Sequence, residues 1–470
     1  MNIVVFGAGP LSGEANFPVT APGSRTWQLA ATAAGALAGI PGSKVFVVGL
    51  EGASREVPPG GIVWRAGGNP LHVVSGVRSV SIEQGTDIIY LPHTIDVFKS
   101  ISDNDEIPPL ELPENLDAVL GCASVQPCAT AARFALLRKL PVWIDFFGDP
   151  FSEIQTRAEI HPAEGEANDG AMEHAWQLFL QAILRGDRFS ALSSAQRLAV
   201  IGQLGVTGRL NRFTSGCDFV HEIPYAVIPD ELPETPWPDH SQQVTVMWGG
   251  SFNTWMDVDS LVAGVAKAIH QRPQLRILVV GGRIEGYNDA SYARFIDGIQ
   301  REGVDRAVHL MDWQSLERVR SLYSQCHAGL SIDRFTYEAE LGSRTRIVNF
   351  LAAGRPVIST VVTQLTRELS EKGFVLPFRI GDPDDLSRAL TDVVDRVREM
   401  KDLGSRAREY VLSRFDATTV GKPLIDWVRS PQPAADMAAP PADQAANPLL
   451  AYWTQVEAFR HPNRGIARKS

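Results

Sequence analysis

Short apolar runs alternate along the chain with stretches that have helical spacing. In the first third, the runs are NIVVFG, KVFVVG, DIIYLP, DAVLGC and PVWIDF. Runs that are apolar at nearly every position are typical of strands buried on both faces of a parallel sheet. Segments such as Ser24–Ala38 and Thr130–Arg138 lie between them and have the spacing of helices. The alternation predicts a series of βαβ units.

The same alternation restarts near residue 244. Its runs are VTVMWGG, LRILVVGG, VHLMDW, AGLSID, RPVIST and GFVLPF. Residues 226–243 are rich in proline and acids and have no periodicity, which predicts a linker. We therefore predict an α/β protein of two Rossmann-like, doubly wound parallel-sheet domains, residues 1–225 and 244–430, facing each other across a cleft. Ligands of such sheets bind at the carboxyl ends of the strands.

The last forty residues have a different composition. SPQPAADMAAPPADQAANP is a Pro/Ala-rich stretch that cannot bury enough apolar surface to order itself. The amphipathic segment LLAYWTQVEAFR, Leu449–Arg460, follows it. We predict that residues 431–470 form a tail with a short terminal helix that docks on the protein.

The amino-acid composition and net charge disfavour several classes of function. The chain has 470 residues, of which 44% are hydrophobic and 21% charged, as in soluble globular proteins of two domains. Its net charge of -10 disfavours a nucleic-acid-binding surface. The four cysteines lack the spacing of a metal site and are expected to be buried thiols. No signal peptide or apolar run of about 20 residues is found, so we predict a cytoplasmic protein.

A glycine-rich loop, GAGPLSG, follows the first strand and contains Gly7, Gly9 and Gly13. A dinucleotide fingerprint would need a helix to open at once and an acid ~20 residues further on. Here the helical pattern starts only near Gly23, which disfavours a dehydrogenase. Two interpretations remain, a plain glycine turn and a loop facing the cleft where a substrate approaches. The second makes Gly13 an acceptor-side candidate.

The first strand end of the second half, WGGSFNTW, carries groups compatible with phosphate. Gly249 and Gly250 permit close backbone approach, while Ser251, Asn253 and free amides at the start of a helix can bind an anion. The alternative is an ordinary β–α turn.

The next two strand ends are weaker candidates. LVVGGRIEG supplies Gly281 and Gly282, and Trp313 ends the strand that follows. These residues are candidates to border a nucleotide base, although Gly-Gly after a strand is mostly turn chemistry.

Two arginines stand at the start of a predicted helix in ELGSRTRIVNFLAAGRPVIST. A helix N-terminus already carries partial positive charge, so Arg344 and Arg346 are unfavourable there unless an anion binds. Phosphate is the usual anion at such a place. The alternative is a surface salt-bridge cluster of these arginines with Glu338 or Glu340.

This stretch, extended to YEAELGSRTRIVNFLAAGRPVIST, resembles the retaining glycosyltransferases of family 4, which have the GT-B fold. VWIDFFGDPFSEIQ, SSAQRLAVIGQLGVTGRLN and MWGGSFNTWMDVDSLVAGV add to the resemblance, which is to a branch with a longer acid-to-helix spacing. It covers roughly residues 1–430 as an architecture and is most detailed in Val244–Thr360. It implies a donor site in the C-terminal domain and an acceptor site in the N-terminal domain.

The resemblance also implies roles for individual residues. Glu338 takes the place of the acid that contacts the donor sugar. Asn349 stands where the family has a second acid, which holds the ribose, and so departs from the pattern. Ser251 and Met256 stand where the family has an Arg and a Lys. Arg344 and Arg346 are the expected replacements that neutralise the diphosphate leaving group, with Glu338 and Arg344 as catalytic residues.

The predicted activity is transfer of a sugar from a nucleotide-diphosphate-sugar donor to an acceptor, with retention of configuration as the resemblance implies. No acidic pair marks a metal site, and we predict no cofactor apart from the nucleotide sugar as co-substrate. On the acceptor side we predict Gly13, Arg25 and Asp149, the alternative for Asp149 being a helix N-cap. Two other functions stay open, a GT-B-like nucleotide-sugar epimerase and a non-catalytic nucleotide-sugar-binding protein.

Overall fold

Two sheets organise the chain, and the apolar runs form their strands. The computed structural model describes residues 1–11, 20–52, 62–66, 73–74, 86–227, 234–239, 243–283 and 289–438, with backbone alone at 62–66, 73–74 and 163. Gly13 of the predicted acceptor side and the predicted helix Leu449–Arg460 lie outside these residues.

The N-terminal sheet has nine described strands. They are β1 Asn2–Ala8, β2 Lys44–Leu50, β3 Ile62–Ala66, β4 Val73–Val74, β5 Thr86–His93, β6 Ala118–Gly121, β7 Val142–Phe146, β8 Arg188–Ala191 and β9 Val220–Glu222. The order is β4-β3-β5-β2-β1-β6-β7-β8-β9. In this spatial order, β5, β2, β1, β6, β7, β8 and β9 run parallel to one another. The strand β3 pairs antiparallel with both β5 and β4.

Helices cover both faces of this sheet. They are α1 Ala21–Leu37, α2 Ile95–Asn104, α3 Val125–Arg138, α4 Pro150–Ile160, α5 Gly165–Arg185 and α6 Ser194–Val206. On β1, Ile3 and Val5 belong to the core on the α1 side, and Val4 and Phe6 to the core on the α3 side. Successive residues of a strand point to opposite faces, so β1 is buried on both. Three cysteines are buried as expected, but Cys217 is exposed.

The C-terminal sheet is parallel throughout. Its strands are β10 Val244–Gly249, β11 Leu275–Val280, β12 Val308–Met311, β13 Ala328–Ser331, β14 Val357–Thr360 and β15 Val375–Phe378. Their order is β12-β11-β10-β13-β14-β15, so the chain reverses direction across the sheet between β10 and β13. Such a topological switch point leaves a crevice at the carboxyl ends of the two strands. Gly250 and Asp333, which follow these strands, lie on its two sides.

The C-terminal helices surround that sheet. They are α7 Val258–Gln271, α8 Ala290–Arg301, α9 Leu316–Tyr323, α10 Tyr337–Leu341, α11 Thr345–Ala352, α12 Gln364–Glu371, α13 Pro383–Asp395 and α14 Val397–Arg414. The two parallel-sheet domains confirm the predicted fold class. Among the described residues, no helix has the length and apolar character needed to cross a membrane.

The end of the described chain packs on the N-terminal domain. It contains α15 Ala417–Val420, α16 Lys422–Arg429 and α17 Ala435–Ala438. Leu424 and Trp427 of α16 belong to the same core as α1. The first residues of the predicted tail are also docked, since Ala434 is fully buried and its N–H donates to Asp187 Oδ1 at 2.6 Å. The division of the chain at residues 225, 243 and 430 stays a prediction.

Candidate functional site

Arg344 lies in the turn between α10 and α11 and binds two carboxylates. Its Nη1 and Nη2 donate to Glu338 Oε1 and Oε2 at 2.9 and 2.7 Å, and its Nε donates to Asp333 Oδ1 at 2.9 Å. The side chain is only 5% exposed. Burial lowers the pKa of Arg344, but Asp333 and Glu338 outweigh burial and raise it above its usual range. The predicted surface salt-bridge cluster is therefore a buried one.

The carboxylates of Glu338 and Asp333 are both bound by the single guanidinium of Arg344. Burial raises the pKa of Glu338, and Asp333 adds to the effect while Arg344 opposes it. Asp333 Oδ2 is buried and accepts no hydrogen bond within the described part of the chain. Arg346 also acts on both carboxylates through its charge, so two arginines and two carboxylates make up this buried cluster.

Arg346, two residues further on, has a different environment. Its Nη2 donates to the carbonyl of Ser251 at 3.2 Å, and its guanidinium lies 4.3 Å from the centre of the Trp248 ring. Nη1 is buried and has no hydrogen-bond partner among the described residues. Burial lowers the pKa of Arg346 to about 10, so the side chain stays charged at neutral pH. No carboxylate of the described chain lies within ion-pair distance of it, although Asp333 and Glu338 act on it from further away and oppose the effect of burial.

Two glycines allow the loops after β10 and β11 to approach Arg346 and each other. Gly250 has a φ of 104°, and a Cβ there would lie 3.6 Å from Arg346 Nη2. Gly281 has a φ of 103°, and a Cβ there would come within 2.6 Å of the carbonyl oxygen of Gly250. Side chains strain such backbone conformations. The glycines therefore shape the crevice floor beside the guanidinium.

The expectation that a helix opens directly at the Gly249–Gly250 loop is wrong. The helix α7 begins at Val258, after Asp257, which caps it. The amides of Gly250 and Phe252 donate to the carbonyls of Val280 and Gly282 at 2.8 and 3.0 Å, so they are used within the loops. The helix that begins beside this loop is α11, which has no acid in its first turn and no side-chain cap. The bond from Arg346 to Ser251 joins the two segments.

The other donor-side candidates lie on the same edge of the sheet. Asn349 is three residues after Arg346 on α11, so the two share a helix face. Ser251 Oγ donates to Asn253 Oδ1 at 2.8 Å. The indole N–H of Trp313 donates to the carbonyl of Arg283 at 2.9 Å, which ties the end of β12 to the loop carrying Gly281 and Gly282.

The predicted acceptor-side residues have structural partners. Arg25 is 1% exposed and forms a side-on pair with Asp145, at 2.6 and 2.9 Å, while its Nη2 also donates to the carbonyl of Ile223. Asp149 caps α4, with its Oδ1 accepting the N–H of Ser152 at 2.8 Å. The N-cap alternative for Asp149 is thus confirmed. A role of Arg25 and Asp149 on the acceptor side stays a prediction.

Glu153 of α4 is a site residue that the sequence did not indicate. The helix α4 packs against α10 of the other domain, which brings Glu153 toward Glu338. Burial raises the pKa of Glu153 to about 8, and the charges of Glu338 and Asp149 contribute while Arg344 opposes them. In the sequence, an acid in the first turn of a helix after a proline is ordinary. Only the fold brings it to the acid cluster.

A second contact joins α4 to the same segment of the C-terminal domain. Arg334 Nη1 lies 3.3 Å from Glu159 Oε2. Arg334 is also fixed by its own domain, because its N–H and Nη2 donate to the carbonyls of Trp255 and Thr254, both at 2.8 Å. The described residues include no cluster of three or more histidines, cysteines and acids suited to a metal ion.

Sequence comparison finds a similarity in the C-terminal domain. Residues 243–396 match the family model described as Glycosyl transferases group 1. The matched region begins one residue before β10 and includes Gly250, Asp333, Arg344 and Arg346. No curated protein sequence matches the chain.

Solved structures share the fold over nearly the whole chain. Sucrose-phosphate synthase from Thermosynechococcus elongatus is 15% identical with a TM-score of 0.59, and the likeness covers 91% of this chain and 98% of that one. Anabaena HepE in complex with UDP-glucose is 12% identical, with a TM-score of 0.56 and coverage of 92% and 100%. The E. coli trehalose-6-phosphate structure bound with UDP-2-fluoro glucose is 11% identical, with a TM-score of 0.56 and coverage of 92% and 100%. The GT-B fold predicted from the sequence is confirmed.

Proposed function

We propose that this protein transfers a sugar from a nucleoside-diphosphate sugar to an acceptor. The observation that carries the proposal is Arg346, a charged guanidinium at the switch point of the C-terminal sheet whose buried Nη1 has no hydrogen-bond partner among the described residues. Asp333 and Glu338 act on this guanidinium only from a distance and are bound by Arg344, so the unsatisfied Nη1 favours an anionic ligand. Guanidinium groups bind phosphate oxygens with directional, charge-assisted bonds.

The surroundings of Arg346 support a diphosphate in particular. On one side, the glycines let the loops after β10 and β11 come close to Arg346 and to each other. The uncapped first turn of α11 presents backbone N–H groups and partial positive charge on the other. Asn349, one turn along α11, is the proposed partner of a ribose hydroxyl. Together these groups supply contacts for a phosphate pair and its nucleoside.

The acid cluster beside Arg346 supports a sugar next to the diphosphate. Glu338 is the proposed contact of the donor sugar, because its carboxylate can accept bonds from hydroxyl groups. Arg344 is already bound end-on, through Nη1 and Nη2, to Glu338 and through Nε to Asp333. We therefore propose Arg344 as a positioning residue that fixes Glu338, and Arg346 as the diphosphate ligand. The match to the glycosyl transferases group 1 model and the UDP-glucose complex of HepE support the same donor class.

Charge development explains how these residues would act. Cleavage of the bond between the anomeric carbon and the phosphate oxygen leaves negative charge on the diphosphate and oxocarbenium character on the sugar. Arg346 and the α11 N-terminus stabilise the negative charge on the diphosphate. The carboxylates of Glu338 and Asp333 stabilise the positive character of the sugar. A fixed guanidinium in this position takes the role that a divalent cation has elsewhere, so we propose a metal-independent reaction. Retention of configuration rests on the resemblance to family 4.

A product analysis tests the proposed function. The protein is incubated in EDTA with UDP-glucose, GDP-mannose and dTDP-glucose in turn, and released nucleotides and sugars are followed by NMR. We expect one donor to yield its nucleoside diphosphate and, for an α-linked donor, an initial α-configured product. Conversion to an epimeric nucleotide sugar without release would indicate the epimerase. Saturable binding of a donor without turnover would indicate a non-catalytic binding protein.

A further inference from the structure

Glu153 is a carboxyl group that the proposed donor site does not use. It lies near the start of α4 and is contributed by the opposite domain from Glu338, Arg344 and Arg346. Its position depends on Gly148, which follows β7. A Cβ at Gly148 would come within 2.3 Å of Glu153 Oε1, so the carboxyl group lies directly over the end of this strand. The carboxyl end of an N-terminal strand is thus brought to the acid cluster of the C-terminal domain.

The charges around Glu153 come from three sides. Asp149 caps its own helix, Glu338 faces it from α10, and Arg344 faces it from the turn after α10. The one cation among them is already bound by Glu338 and Asp333. Burial disfavours an ionised Glu153, and the charges of Glu338 and Asp149 add to that effect. The pKa of Glu153, raised to about 8, means that the group is mostly protonated at neutral pH.

A protonated carboxyl has chemistry that an ionised one lacks. Its hydroxyl donates one hydrogen bond and its carbonyl oxygen accepts another. It can therefore hold an uncharged hydroxyl group next to Glu338 without repelling a negatively charged donor. Anionic acceptor groups at the same point would meet the carboxylates of Glu338 and Asp333.

We propose that Glu153 positions the attacking hydroxyl group of the acceptor opposite Glu338. This inference rests on the proposed function and assigns an acceptor contact beyond the predicted Arg25 and Asp149. In the reaction, the acceptor oxygen forms a bond to the anomeric carbon as the bond from that carbon to the phosphate oxygen breaks. The proton of the attacking hydroxyl passes to the departing phosphate oxygen. Glu153 keeps its own proton and orients the hydroxyl through hydrogen bonds.

The test compares Glu153→Gln, Glu153→Ala and Glu159→Gln. UDP-glucose is the donor, water is the acceptor, and the rate of UDP release is measured from about pH 5 to about pH 9. Glu159 lies on the same helix and contacts Arg334, so its variant reports on domain contact alone. UDP affinity and melting temperature are measured on each variant. If another nucleotide sugar is the one turned over by the wild type, it replaces UDP-glucose.

We expect Glu153→Ala to lower the rate of UDP release about 10-fold, the loss of a well-placed hydrogen bond, with UDP affinity unchanged. Glu153→Gln keeps both donor and acceptor groups and should stay within about twofold of the wild type at neutral pH. The wild-type rate should fall as the pH rises through about 8, and Glu153→Gln should lack that fall. Glu159→Gln should match the wild type in the rate of UDP release and in its dependence on pH.

Two outcomes separate the two proposals. A wild type that releases nucleotide, together with a Glu153→Ala variant of equal rate and pH profile, overturns the role of Glu153 and leaves the proposed function intact. A wild type that neither binds nor turns over any nucleotide sugar overturns the proposed function itself. If Glu153→Ala fails to fold, the pH profile of Glu153→Gln decides, since an unchanged fall above pH 8 contradicts the inference.

Discussion

Arg344 and Arg346 are two residues apart in one turn, yet among the described residues only Arg344 forms ion pairs at close range. Arg344 binds Glu338 end-on through Nη1 and Nη2, and Asp333 through Nε. Arg346 donates to a backbone carbonyl, rests on Trp248 and leaves Nη1 without a partner in the described chain. The first arrangement holds the site together, and the second leaves a charge for a ligand. Opposite consequences are expected when each arginine is removed.

Arg344→Ala should destabilise the fold. It would leave Glu338 and Asp333 buried together without their cation, and breaking a buried ion pair costs about 3–5 kcal/mol. Urea unfolding measures the loss. Arg367→Ala is the control, because Arg367 is half exposed and lies 4.0 Å from Glu340, a geometry that contributes about 0–1 kcal/mol. Equal stability of the two variants would show that the buried cluster does not support the fold.

Glu153 should make the stability of the protein fall as the pH rises. Its folded pKa of about 8 lies above the ordinary value of 4.5, so the folded state binds more protons than the unfolded state between these two pH values. The free energy of unfolding therefore decreases across that window and levels off above it. Glu153→Gln should remove this contribution, so the variant gains stability relative to the wild type between pH 5 and pH 8. If urea unfolding gives the same stability difference between the two proteins at pH 5 and at pH 8, the raised pKa is not that of Glu153.

The parallel strands could be predicted from sequence because strands buried on both faces leave continuous apolar runs. The strands β8 and β9 were missed because they are only four and three residues long and include polar residues. Likewise, β3 and β4 form a short antiparallel extension that no long apolar run marks.

The candidate site was predictable only in part. The arginine turn was visible because arginines at a helix start contradict the helix dipole. The ion-pair partners of Arg344 could not be predicted, because the loop that carries Asp333 and the helix that carries Glu338 have to fold back onto it. Arg25 pairs with Asp145, 120 residues away, and Glu153 comes from the opposite domain. Such contacts depend on tertiary packing, which a single sequence does not encode locally.

The docked start of the C-terminal segment should matter for stability and not for nucleotide binding. Asp436 forms a side-on pair with Arg209, at 2.7 and 3.0 Å, and Arg209 is fully buried. Asp436→Asn would leave that arginine uncompensated, with an expected loss of up to about 3–5 kcal/mol. Melting temperature and UDP affinity are measured on the same sample. An unchanged melting temperature would show that the segment is not held by this pair, and a loss of UDP affinity would connect it to the site.

Nucleotide binding should survive removal of divalent metals. The proposed diphosphate ligand is the guanidinium of Arg346, and the described residues include no acidic cluster suited to a metal. Titration of UDP in EDTA and in excess magnesium or manganese should give the same dissociation constant within about twofold. Binding that appears only with metal would mean that Arg346 is not sufficient to hold the diphosphate.

The affinity of Arg346 variants for nucleoside diphosphates tests the central claim most directly. Calorimetric titrations of UDP, GDP and dTDP, and of uridine as the phosphate-free control, are made on the wild type, Arg346→Ala and Arg294→Ala. Arg294 is an exposed arginine of the same domain that pairs with Asp259. The account predicts that Arg346→Ala weakens the preferred diphosphate by about 1.5–3 kcal/mol, roughly 10- to 150-fold, while Arg294→Ala and uridine binding are unaffected. A folded Arg346→Ala variant that binds the diphosphate as tightly as the wild type would contradict it.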